Sequence, residues 1–226
     1  MSGYQLTQII LATLPRPASV ALAAVRAYLQ HRHGLNESGK RRHLVSLDLE
    51  SRKYEFSGSI DSTGEAIDDA LELGYGAFLV QDVRIGKYRY PIGLFIIPVG
   101  DDECSFIWKL DSDPIDAVFA YDRSLEKFDP EAKRGVLELC LGLTDAAGAK
   151  GFLLAPDDDR LVTLSAPEIA QELRVDNLSW SIGGVDSSLL SVRELQKSEG
   201  TRDPKYIFST ATGLTVYDLL LPIEDD

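Results

Sequence analysis

From Tyr75 to Asp111 the chain is dominated by aromatic and β-branched residues, in "YGAFLVQDVRIGKYRYPIGLFIIPVG" (75–100) and "CSFIWKLD" (104–111). Such residues suit a pleated, half-buried surface, and the interruptions around Gly86 and Gly93 read as breaks between strands. Consecutive strands joined by short turns pair antiparallel, because a parallel neighbour needs a crossover of about a dozen residues or more. The middle of the chain is thereby committed to a largely antiparallel sheet.

The flanks extend that sheet. "HLVSLDL" (43–49) and "KYEFSGSI" (53–60) read as a hairpin, "KGFLLAP" (150–156) and "LVTLS" (161–165) as strands around the tip Asp157 to Arg160, and "KYIFSTA" and "LTVYDLLLP" as closing strands. Helical signals fall between them. Residues 1–34 look like two helices, the second carrying Leu22, Val25 and Leu29 on one face and ended by Gly34. Ser62-Thr63-Gly64-Glu65 reads as a capping box before a helix over 65–73, and further helices are expected over 115–128, 131–148 and 166–174. The fold class is α+β: a single domain with a largely antiparallel β-sheet flanked by helices, in which 1–42 is an N-terminal helical segment and 43–226 the α+β domain.

Charge is unevenly spread. The 226 residues carry a net charge of −13. Residues 1–43 hold six basic residues and Glu37, whereas the rest holds 17 basic and 35 acidic residues, a net −18. Such a body repels nucleic acid and anionic membrane and attracts a basic protein partner, so no nucleic acid is expected. No apolar run reaches the ~20 residues of a bilayer span, and no basic leader precedes Leu6 to Leu14. Cys104 and Cys140 are the two cysteines, which fits buried thiols in a reducing, cytoplasmic setting.

Chemistry-bearing patterns are sparse. His31 and His33 lie two apart on an expected helix and share no face, so neither a metal site nor a cofactor is expected. Asp48 and Glu50 have the D-x-E spacing that puts two carboxylates on one strand face, as a shared metal pair needs, but no further acidic partner stands out. "RIGKYRYP" (84–91) is a basic and aromatic cluster in the acidic body, and Arg84, Lys87, Tyr88 and Arg89 are candidate partner-binding residues together with Asp157, Asp158 and Asp159 at the acidic tip.

One stretch invites a second interpretation. "IGGVDSSLL" (182–190) resembles the SGGxDS signature of the PP-loop ATP pyrophosphatases, with Gly183, Gly184, Asp186 and Ser187 on the motif. The resemblance implies a strand-to-helix turn whose amides hold the phosphates of ATP, and hence a nucleotide-binding protein or ATP-using ligase. The local alternative is a tight turn at Gly183-Gly184 and a cap at Asp186 or Ser187 for a helix carrying Leu189, Leu190, Val192 and Leu195.

The leading expectation is a non-catalytic acidic binding or inhibitory protein that docks on a basic partner, analogous in charge and size to bacterial toxin-immunity proteins. Two others stand beside it: the nucleotide reading, and a structural or regulatory subunit of a homo-oligomer joined through its N-terminal helices.

Overall fold

The five residues of β1 (Thr7–Leu11) are all buried, because a strand flanked on both sides and covered on both faces has no solvent-facing position. The computed structural model describes residues 7–37, 42–48, 53–86, 88–110, 130–156, 162–175, 182–197 and 207–218. Within them β1 is the centre of the sheet, with Ile9 opposite Trp108 on one side and Leu154 on the other. This corrects the expectation of two helices in residues 1–34. "TQIIL" lacks alternation because both of its faces are buried, and a short apolar run of that kind carries no period by which to tell strand from helix.

The remaining elements follow in chain order. They are β2 (Leu14–Pro15), α1 (Ala18–His33), β3 (Arg42–Asp48), β4 (Lys53–Ser59), α2 (Gly64–Glu72), β5 (Gly76–Ile85), β6 (Tyr88–Val99) and β7 (Glu103–Leu110). Then come α3 (Pro130–Ala147), β8 (Gly151–Pro156), α4 (Ala166–Arg174), β9 (Ile182–Asp186), α5 (Val192–Lys197), β10 (Ile207–Ser209) and β11 (Leu214–Asp218). One sheet runs β10-β11-β9-β8-β1-β7-β6-β5-β3-β4, with β2 beside β7. Every strand pair described is antiparallel. The α+β class and the largely antiparallel sheet are therefore as the strand pattern implies.

Both faces of the sheet carry apolar clusters. On one, α1, α2 and α3 cover Ile9, Leu79, Val83, Leu94, Phe106 and Trp108. On the other, α4 and α5 cover the β8–β9–β11 end through Ile169, Leu173 and Leu195, and a third cluster gathers Ile10, Val45, Phe95, Ile97 and Ile107.

Several local expectations shift. The cap of α2 is Thr63, whose hydroxyl accepts from Ala66 N–H at 3.3 Å, rather than Ser62. Gly93 lies inside β6, beneath the Phe78 ring, while Gly86 at φ 59° turns the β5–β6 hairpin. Of the strand expected over 161–165, the described residues 162–165 form only an isolated bridge, Leu164 to Ala12. The helix expected over 115–128 lies outside the described residues.

Candidate functional site

The glycine pair settles into the sheet rather than at a turn. Gly183 and Gly184 are interior to β9, paired with Leu153 and Phe152 of β8 and with Tyr217 and Val216 of β11. Close packing explains both. A Cβ on Gly184 would stand 2.5 Å from the Phe152 ring, and one on Gly183 would stand 2.4 Å from Leu173 of α4. The turn comes later, and its amides are used internally. Ser187 N–H donates to the Gly213 carbonyl, Ser188 N–H to Asp186 Oδ1 at 2.9 Å, and Leu189 and Leu190 N–H to the Asp186 carbonyl. The Ser188 bonds hold the Asp186 carboxyl below the usual carboxylate range. The cap of the six-residue α5 is Ser191, which exchanges bonds with Glu194 and replaces the expected cap at Asp186 or Ser187. Four amides turned inward leave this loop without the cradle that the ATP motif implies.

The other candidates scatter. Arg84 and Arg89 are exposed and directly opposite each other across the β5–β6 hairpin. Arg89 Nη2 reaches the Gly34 carbonyl at 3.5 Å, where a cation suits the C-terminal end of α1. Tyr88 opens β6, and its side chain, like Lys87, lies outside the described residues. Asp157, Asp158 and Asp159 lie outside them too, as does Glu50. Among the described residues no group of three or more His, Cys, Asp or Glu side chains is placed to hold a metal ion, and no helix is long and apolar enough to cross a membrane.

A different surface stands out: the outer side of the helix layer. A surface helix normally turns charged or polar residues to water. Over the first three turns the outward row of α1 is instead Val20, Ala23, Ala24 and Ala27, all exposed, with Val20 at 71%, before Gln30 and His31 end it. Carboxylates border this ridge. On the outer face of α2, Glu65, Asp69 and Glu72 follow at i, i+4 and i+7 and are all exposed. Along α3, Glu131, Glu138 and Asp145 are exposed at seven-residue intervals, with Arg134 between them.

Small residues and part-buried polar contacts fix the ridge in place. Gly64 lets α2 approach the first turn of α1, since a Cβ there would lie 2.6 Å from Ser19 Cβ, and Ser19 N–H donates to Asp68 Oδ1 at 3.1 Å. On the other side Tyr28 lies against Gly142 of α3, where a Cβ would come within 2.0 Å of the phenol. The Tyr28 hydroxyl meets His33 Nε2 at 2.9 Å and the Glu138 carbonyl at 3.0 Å, and His33 Nδ1–H donates to the Arg84 carbonyl at 2.7 Å. Burial pushes the Tyr28 phenol up to about 12 and the His33 imidazole below its ordinary value. Glu37 closes the junction, accepting from Arg26 Nε at 3.0 Å and from Gln81 Nε2 at 2.7 Å.

Sequence reasoning passed over this surface because it follows the buried stripe of an amphipathic helix. The signal lay on the opposite side, where four consecutive outward positions of α1 carry no polar group. Comparison of the chain with protein-family models, curated proteins and solved structures returned no match.

Proposed function

We propose that this chain is a non-catalytic acidic binding or inhibitory protein that docks on a basic protein partner, in the manner of immunity proteins. The observation that carries the reading is a row of charges set against the chain's own stability. Asp69 lies between Glu65 at i−4 and Glu72 at i+3, like charges that oppose helix formation by about 0.2–0.5 kcal/mol per pair. Glu65 itself, in the first turn, gains from the positive end of the helix dipole. Glu72 sits in the last turn of α2, which has no basic residue there, so it faces the negative end of the helix dipole. Asp69 and Glu72 are thus unfavourably placed in the isolated protein and favourably placed against a cationic surface.

The test is affinity capture from native lysate at ~0.05 M and ~0.5 M NaCl, across which the Debye length falls to roughly 4 Å. A partner with basic composition that is retained at low salt and released at high salt is expected. A partner held equally at both, or an acidic one, overturns the reading.

A further inference from the structure

The uncharged ridge of α1 and its carboxylate banks form one surface, and its chemistry defines what can cover it. Resting on the reading above, we infer that this helix layer is the docking face, and that its occupant is a cationic amphipathic helix of the partner, apolar along one side and lysine- or arginine-bearing along both flanks. Three observations lead there. Val20, Ala23, Ala24 and Ala27 expose a strip without hydrogen-bonding side chains, which gains nothing from water and gains contact area from an apolar cover. Their small size allows a second helix to approach at about 8–10 Å. The banks then fall to either side of that helix, α2 along the N-terminal part of α1 and α3 along its C-terminal part, as the Ser19–Asp68 and Tyr28–Glu138 contacts place them. Neighbouring helices stand ~10 Å apart, so lysine and arginine arms on the flanks of the incoming helix span the distance to both rows.

Charge also decides between occupants. A second copy laid face to face would bring carboxylate rows against carboxylate rows around its own ridge, and like charges brought together in an interface oppose association. A cationic helix meets the same rows as counter-ions. The face is held ready for it, since Gly64, Gly142 and the Tyr28–His33 junction lock α1 between its neighbours, and a preformed face binds without an ordering cost.

The test uses the full chain and a synthetic helical peptide of about 18 residues, with alanine and leucine along one face and lysine along both flanks, followed by fluorescence anisotropy. The unmodified chain is expected to bind it with an affinity that falls as NaCl is raised. The double variant Ala24→Lys/Ala27→Lys, exposed and therefore tolerated by the fold, is expected to lose roughly tenfold or more. Glu65→Gln/Glu138→Gln is expected to weaken binding and flatten its salt dependence. Circular dichroism of each variant confirms the fold. Peptide binding unchanged in Ala24→Lys/Ala27→Lys overturns the inference, because it places the peptide elsewhere on the acidic surface. Sedimentation of the unmodified chain as a dimer that the same variant dissociates also overturns it, giving the ridge to a second copy. Lysate capture separates this inference from the reading beneath it. If Ala24→Lys/Ala27→Lys still retains the salt-sensitive basic partner, the docking face is wrong and the binding function stands; if neither protein retains one, the function itself fails.

Discussion

His33, the last residue of α1, is buried against β5, with Nδ1–H given to the Arg84 carbonyl and Nε2 facing the Tyr28 hydroxyl. Burial lowers its pKa, while Arg32 and Arg84 nearby also oppose protonation and the Arg84 carbonyl and Glu138 favour it. The unfolded chain therefore takes up a proton at a pH where the folded chain does not. Stability from this group is complete above the ordinary histidine value of about 6.5 and is lost as pH falls through the lower folded value. The urea midpoint of the unmodified chain should drop more steeply between about pH 7 and pH 5 than that of His33→Gln, and parallel profiles would remove His33 as the cause. At Gly183 and Gly184 the expectation is steric. A glycine-to-alanine change at an unstrained backbone position normally stabilises by roughly 0.4–1 kcal/mol. Here the new methyl meets Leu173 or Phe152, so Gly183→Ala and Gly184→Ala should each cost about 1–3 kcal/mol in urea melts, with nucleotide present or absent. The glycines were legible as necessary, but not their reason. A glycine that admits a phosphate and one that admits a phenyl ring look alike until the facing strand is known, and Phe152 is over thirty residues away.

Elements that close on themselves were legible, and those that depend on distant partners were not. β3 and β4 pair antiparallel as the alternation of their own residues implies, and α1 ends at Gly34 in the left-handed conformation its sequence asks for. By contrast, β1 owes its conformation to β7 and β8, about a hundred or more residues along the chain, and nothing in "TQIIL" encodes them. Caps fall between these extremes. At α4 the Glu168 carboxylate accepts from both the amide and the hydroxyl of Ser165, each at 2.7 Å, and Ser191 with Glu194 repeats the pattern at α5. Both pairs have the S-x-x-E spacing. Replacing Ser165 with alanine should cost about 0.5–2 kcal/mol in chemical denaturation, and Ser191→Ala a comparable amount. The Ser165 change has the wider reach, because α4 carries the Leu173 that fills the space over Gly183. A Ser165→Ala protein as stable as its parent would show that packing alone fixes where α4 begins.

At the scale of the molecule, the helix layer and the net charge pull against each other. A chain at −13 works against its own compaction, and Asp69 and Glu72 concentrate that repulsion at the C-terminal end of α2, while across the ridge Arg134 interrupts the row Glu131, Glu138 and Asp145. These groups are exposed, so salt screens them well. Raising NaCl from ~0.05 M to ~0.5 M should therefore stabilise the isolated protein, and screening worth ~1 kcal/mol would raise Tm by about 2–4 °C in a chain of this size. The double variant Asp69→Asn/Glu72→Gln, which keeps Glu65 at the favourable end of the helix dipole, should begin with a higher Tm and respond less to salt. The same salt should loosen a docked basic partner, so folding and binding are expected to move in opposite directions along one axis. That opposition separates a docking charge from a merely solubilising one. A solubilising charge set could be spread evenly over the surface at little cost to any one helix, whereas like charges gathered in the last turns of α2 keep their repulsion until a cation is docked beside them. A double variant with unchanged Tm and unchanged salt response would show that Asp69 and Glu72 carry no such strain, and the argument for a partner at this face would lose its energetic basis.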